Sequence, residues 1–344
     1  MGYVRGYIGT YTKEASEGIY SFLLDPEHLT LDHLTLVATL GNPTYLAVNK
    51  NKQMLYAVDK EGEEGGAASY SIHSDGFLTQ NAVHLSRGAS PCYIAINHAA
   101  DRVATGNYHR GTLDVYGLTD EAALGTLLAA IRHEGKGADP DRQESAHIHY
   151  TDFTPDDRFI VTVDLGLDRL TTYEEVDNQL VARYALDFPA KTGPRHLVFH
   201  PTLPIAYVLS ELSSEIFVLD YDAEEGRFTM RQTLRALPAD FAGHNQGAAI
   251  KIAPDGRFLY VSNRGHNSIG VYQAAADGTL TPCTYTATGG SWPRDFIFDP
   301  TGRLLIVANQ ETGNLVLFER DQESGHLSAP KAMLDVPDPT CVLF

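Results

Sequence analysis

The sequence predicts an all-β fold: a seven-bladed β-propeller with four antiparallel strands per blade, in one domain over residues 1–344. Three observations carry this. First, a motif recurs six times: a proline or small residue, an alternating apolar run, a turn and a second apolar run. A seventh copy begins at DPTCVLF and stops with the chain. Second, the anchors Pro43, Pro91, Ile148, Pro194, Gly247, Pro293 and Pro339 lie 48, 57, 46, 53, 46 and 46 residues apart, the period of propeller blades. Third, the two ends are complementary. GYIGTYT, GIYSFLL and LTLDHL near the start match strands two, three and four of a unit, and TCVLF at the end matches strand one alone. Pairing residues 340–344, as inner strand, with the strands of residues 3–35 would close the ring and remove its free edges.

Each element of the unit follows in order. Strand one starts at the anchor. The third residues after the anchor (Leu46, Ile94, Thr151, Leu197, Ile250, Phe296, Val342) and the fifth (Val48, Ile96, Phe153, Phe199, Ile252, Phe298, Phe344) form columns that pack blade against blade. A tight turn such as Asp255-Gly256-Arg257 or Asp156-Asp157-Arg158 leads to strand two. Strand three reads SIGVYQ after Asn267 or NLVLFE after Gly313. A hairpin such as Ser74-Asp75-Gly76 or Ala276-Asp277-Gly278 then leads to strand four, with glycine supplying positive φ. Only Thr119 to Ile131 has helix-like periodicity, and the repeat register places it on strand four and the connection after it.

Composition excludes several classes. With 44 acidic and 26 basic residues the net charge is -18, which repels nucleic acid and anionic lipid. An anionic ligand therefore needs a local cluster of arginines. Cys92, Cys283 and Cys341 are too few and scattered for a disulfide framework or a zinc knuckle. No apolar run approaches a membrane span, and MGYVRGYIGTYT lacks the apolar stretch of a signal peptide, so a cytoplasmic location is expected.

One column departs from the repeat. The residue after each anchor is Thr44, Cys92, His149, Arg195, Ala248, Arg294 or Thr340, and the blade does not require two arginines and a histidine there. In an antiparallel blade the start of strand one and the end of strand two share one face of the disc. That second position holds Tyr11, Lys60, Tyr108, Leu165, Glu211, Arg264 and Gln310, behind a polar column of Thr10, Asp59, Asn107, Asp164, Ser210, Asn263 and Asn309. His149, Arg195, Glu211, Arg264 and Arg294 should thus converge on one mouth of the channel, either as a ligand site or as a rim of salt bridges between blades. The connection Arg132 to Ala146 enters the same face and brings Arg142 as a further cation.

Other chemistry is less supported. His147 and His149 lie on one side of a strand, as metal ligands do, but no third protein ligand is evident. Ser291 in GGSWP does not complete a nucleophile elbow, and neither a Walker loop nor a dinucleotide fingerprint occurs. Trp292, the single tryptophan, either lines the pocket or caps a blade, and reads first as structural.

The segments PDRQESAHIH (140–149), TGPRHLVFHP (192–201), SELSSEIFVLD (210–220), PDGRFLYVSNRGHNSIGVY (254–272) and WPRDFIFDPTGRLLIVANQ (292–310) resemble the seven-bladed propeller lactonase family, and the likeness runs through essentially the whole chain. That family includes bacterial 6-phosphogluconolactonases and a fungal carboxymuconate cyclase. The resemblance implies a hydrolase of the oxidative pentose phosphate pathway that opens the lactone of 6-phosphogluconate without a cofactor. The His, Arg, Glu and Arg proposed for the fungal branch fall on His149, Arg195, Glu211 and Arg264. Ala249 stands where relatives often carry an acidic residue.

Lactone hydrolysis needs an activated water, a stabiliser for the tetrahedral oxyanion and a grip on the sugar phosphate. Glu211 or His149 is expected as general base and Arg195 and Arg264 as oxyanion partners. Arg294 and Arg142 are expected to hold the phosphate, with His147 and Asn263 as further substrate contacts. The expected partner is a small anionic sugar lactone, with no nucleic acid or membrane. Another lactone, a cyclisation, or a binding scaffold without catalysis are the other readings the residues allow.

Overall fold

The structure, a computed structural model, describes residues 2–177 and 179–344, and no helix occurs among them. Its 28 strands, β1 to β28 in chain order, form seven four-stranded antiparallel sheets. The inner strands are β4 (Leu46–Val48), β8 (Tyr93–Ile96), β12 (Ile148–Phe153), β16 (Pro194–Phe199), β20 (Gln246–Ile252), β24 (Pro293–Phe298) and β28 (Pro339–Leu343). Each touches the next in that order and β28 touches β4, so the sheets form a seven-bladed propeller around a central channel. The segment with helix-like periodicity is a turn followed by the outer strand Leu124–Arg132.

The first blade is built from both ends of the chain. Strand β28 pairs with β1 (Val4–Thr10), which continues to β2 (Gly18–Asp25) and β3 (Thr30–Thr39). Thr340 donates its hydroxyl to the carbonyls of Gly9 and Thr44 at 3.1 Å each, tying this blade to the next. Apolar faces of neighbouring blades form the core: Ile8, Phe22 and Val342 of the closing blade pack with Leu304, Ile306 and Leu315 of the last one. A polar tie repeats across four blade junctions. Tyr7, Tyr56, Tyr207 and Tyr260, equivalent residues of strand two, donate to carbonyls of Gly76, Ala122, Gly278 and Gly325 in the outer hairpin of the next blade. Each satisfies a hydroxyl that burial would otherwise leave costly.

Two local features at the anchor shape the channel mouth. The residue before it is left-handed in four blades: Asn42 (φ 46°), Gly193 (φ 55°), Trp292 (φ 65°) and Asp338 (φ 44°). This conformation costs an L-residue roughly 1–2 kcal/mol, which glycine escapes and Asn and Asp offset by local hydrogen bonding. Just after the anchor, the ladder slips. Ile148 pairs with Asp164 but Tyr150 with Val163; Pro194 pairs with Ser210 but His196 with Leu209; Pro293 pairs with Asn309 but Asp295 with Ala308. The same slip surrounds Thr340 in the closing blade. His149, Arg195 and Arg294 are therefore the extra residues of β-bulges, which free a side chain from the strand's alternation and re-aim it.

Candidate active site

A cavity of about 460 Å³ opens at this mouth, lined by Tyr11, Thr44, Lys60, Cys92, Tyr108, Arg142, His149, Glu211, Arg264, Trp292 and Arg294 among others. His149, part of this lining, adjoins a layer of rings. Tyr45 stacks on Tyr93 at 4.0 Å, and His196 lies 5.2 Å from both Tyr93 and His149. Beyond this layer a second cavity, of about 440 Å³, faces the other mouth and includes Ala249. The position where relatives often carry an acid thus belongs to the far side of the ring layer.

Glu211 is the centre of the first cavity's charge. Only 3% exposed, its carboxylate accepts from Arg195 Nε at 3.0 Å and from an Arg264 terminal nitrogen at 2.7 Å, and ion-pairs with Arg142. Burial alone would raise its pKa, but Arg264 and then Arg195 outweigh burial and hold the carboxyl well below its ordinary 4.5. A carboxylate so bound is a poor proton acceptor. Its role in this geometry is to neutralise and fix three guanidiniums.

His149 is the opposite case. Burial, and then the charge of Arg195, hold the imidazole well below its ordinary 6.5, so the ring is neutral at physiological pH. Its Nδ1 is enclosed and has no hydrogen-bond partner among the described residues. The ring borders the cavity between Tyr108, 5.7 Å away, and His196.

The remaining expected residues divide. Arg195 is 2% exposed and does not border the cavity; besides Glu211 it donates to the carbonyl of Ala248 at 2.7 Å and contacts His196. It stands behind Glu211. Arg142 reaches the site on its long connection, which Gln143 fastens by donating to Leu165 O at 2.9 Å and to Asp168 at 2.7 Å. Its ion pair with Glu211 engages the charge expected to be free for phosphate. Arg294 meets Gln310 and the Tyr11 hydroxyl, both at 3.2 Å, and ion-pairs with no carboxylate among the described residues.

Two expected substrate contacts lie outside the cavity lining. Asn263 donates to the carbonyl of Ala236 at 2.9 Å, as Asn107 and Asn309 do to Ala89 and Thr288, and so pins the loop entering its blade. His147 contacts the Tyr108 carbonyl through Nδ1 at 2.8 Å and stacks under the Tyr108 ring at 4.1 Å. It shapes the wall from behind. Among the described residues no group of three His, Cys, Asp or Glu is placed to hold a metal ion. Lys60, Tyr11 and Tyr108 are lining residues that the choice of candidates omitted, although all three stand in the strand-two column. Trp292 also lines the cavity, its ring 5.4 Å from the Arg264 guanidinium, which corrects the structural reading of that residue.

Comparison with known proteins agrees with this architecture. The family description "Lactonase, 7-bladed beta-propeller" matches residues 5–344. The chain is 45% identical over 341 residues to the 6-phosphogluconolactonase of Bacillus subtilis (strain 168), covering 98% of this chain and 97% of that protein. A crystal structure of a Lactobacillus plantarum protein superposes with a TM-score of 0.94 at 42% identity, covering 99% of each chain. The periplasmic gluconolactonase of Pseudomonas aeruginosa superposes with a TM-score of 0.93 at 29% identity, again covering 99% of each.

Proposed function

The chain belongs to the seven-bladed β-propeller lactonase family, and from that premise we propose that it is a carboxylic ester hydrolase converting 6-phosphogluconolactone to 6-phosphogluconate. The observation that carries the reading is the pairing, in one cavity, of a neutral buried imidazole with a guanidinium held by a carboxylate. His149 takes a proton from water as its oxygen attacks the lactone carbonyl. The oxyanion that forms is received by the Arg264 guanidinium, which borders the cavity and is held by Glu211. Collapse breaks the ring C–O bond, and His149 returns the proton to the departing alkoxide. Glu211 and Arg195 are positioning residues in this scheme: the carboxylate fixes Arg264, and Arg195 fixes the carboxylate.

Arg294 favours a phosphorylated substrate, since no carboxylate among the described residues ion-pairs with it and a guanidinium suits phosphate geometry. The reading places the reaction in the cytoplasm, where its charge retains a sugar phosphate, and in the oxidative pentose phosphate pathway. The test is hydrolysis of freshly generated 6-phosphogluconolactone beside gluconolactone, corrected for spontaneous opening, with His149→Gln as control. Acceleration favouring the phosphorylated lactone is expected, with a loss of about 10²-fold or more in the variant. No acceleration of the phosphorylated lactone by the wild-type protein would overturn the proposal.

A further inference from the structure

Trp292 occupies a backbone position that the rest of the ring fills differently. Four residues preceding an anchor proline are left-handed, and three of them are Asn42, Gly193 and Asp338, the types that accept this conformation. The fourth, at φ 65°, is the only tryptophan in the chain. A bulky residue there is a steric outlier, and such strain persists where the surroundings hold it and gathers at functional sites. Here the holding groups are visible. The Asn267 side chain accepts from Trp292 N at 2.9 Å, and Trp292 O accepts from Gln310 N at 3.0 Å. The strained backbone delivers an indole that borders the cavity within cation–π range of Arg264.

We propose that Trp292 is a specificity-determining residue that stacks on the apolar C–H face of a sugar lactone ring while its contact with Arg264 keeps that guanidinium at the carbonyl. The proposal rests on the lactonase reading above. It explains why an aromatic stands where asparagine, glycine or aspartate would be less strained. It also assigns a ligand chemistry: a saturated ring with one apolar face and an anionic substituent, rather than an extended carboxylic acid.

The sister blades supply the test variants, because Trp292→Asn and Trp292→Gly restore residues already compatible with this turn. Both should retain the wild-type melting temperature or exceed it, and kcat/KM for 6-phosphogluconolactone should fall about tenfold, through a raised KM from the lost stacking and a lowered kcat from the released Arg264. Trp292→Phe should recover most of the loss. Because the wild-type protein has a single tryptophan, its fluorescence reports on this position alone, and titration with the product 6-phosphogluconate should change it saturably. Retention of kcat/KM within threefold in Trp292→Gly overturns the proposal, as does a loss that only tracks a lowered melting temperature. If the wild-type protein hydrolyses no sugar lactone yet its fluorescence responds to 6-phosphogluconate, stacking stands and the lactonase reading falls. Hydrolysis with no fluorescence response to the product sinks the stacking assignment alone, and absence of both sinks both.

Discussion

Replacing Glu211 by glutamine isolates the charge at the centre of the site. The residue is 3% exposed, and Arg195 and Arg264 beside it are 2% and 4% exposed. Glutamine keeps the shape and one acceptor oxygen but removes the only carboxylate ion-paired to either arginine among the described residues. Leaving such buried charge uncompensated costs about 3–5 kcal/mol. Unfolding entropy near about 2.1 cal/mol/K per residue gives roughly 0.7 kcal/mol/K for 344 residues, so Tm should fall by about 4–7 °C. Arg142 supplies the comparison. Its side chain is 33% exposed, and its loss leaves Glu211 with two partners, so Arg142→Met should move Tm by about 1 °C or less. Calorimetry on the three proteins at one scan rate decides. The reasoning fails if Glu211→Gln melts within about 1 °C of wild type, or if Arg142→Met is equally destabilising.

Lys60 lines the cavity without a carboxylate partner among the described residues, so Lys60→Met should lower the kcat/KM ratio of phosphorylated to unphosphorylated lactone about tenfold; an unchanged ratio removes it from substrate binding. Deleting residues 340–344 removes most of β28, and the sharp melting transition should be lost along with monodispersity in size-exclusion chromatography, whereas a wild-type transition would disprove closure by that strand. Stability should fall with pH below 6.5, because burial, followed by Arg195, keeps His149 and His196 neutral in the fold while the unfolded chain takes up protons. Each contributes at most about 1.4 kcal/mol per pH unit. Glu211, held low by Arg264 and Arg195 against burial, adds to the loss below 4.5, and Asp152, raised by burial to about 6, offsets one histidine between 3.8 and about 6. A Tm that holds constant or rises from pH 6.5 to 4 would contradict this balance.

The ring was legible because its signal repeats. Seven anchors, one polar column and a split blade each restate the same unit, so an irregular segment such as Thr119 to Ile131 is assigned by its neighbours rather than by its own periodicity. The mouth was legible in its columns, and His149, Glu211, Arg264 and Arg294 do meet in one cavity. Depth was not legible. Arg195 and His149 follow their anchors identically, yet one lies behind Glu211 and the other borders the cavity, a distinction set by side-chain packing on the bulge. Asn263 misled because a polar residue in a site column reads alike whether it faces a ligand or pins a loop; its counterparts Asn107 and Asn309 held the answer. The tyrosine ties escaped notice because Tyr7, Tyr56, Tyr207 and Tyr260 sit within apolar runs and resemble core residues, although their equivalence across four blades was a usable signal.

The slip in the ladder just after the anchor, in the blades that have it, has a consequence for how such a site changes. An extra residue in a bulge lies outside the regular cross-strand pairing, so its side chain can be exchanged without disturbing the pairs on either side. Thr340, His149, Arg195 and Arg294 occupy such places, and Thr44 and Cys92 stand at the matching points of the two blades whose inner strands begin later. The disc is in effect a socket board, with the plugs at Thr44, Cys92, His149 and Arg294 set around a common opening. Chemistry can be rewritten plug by plug, and Thr44 and Cys92, which already border the opening, are the places where a new charge or hydrogen-bonding group would meet the ligand while the scaffold stayed as it is.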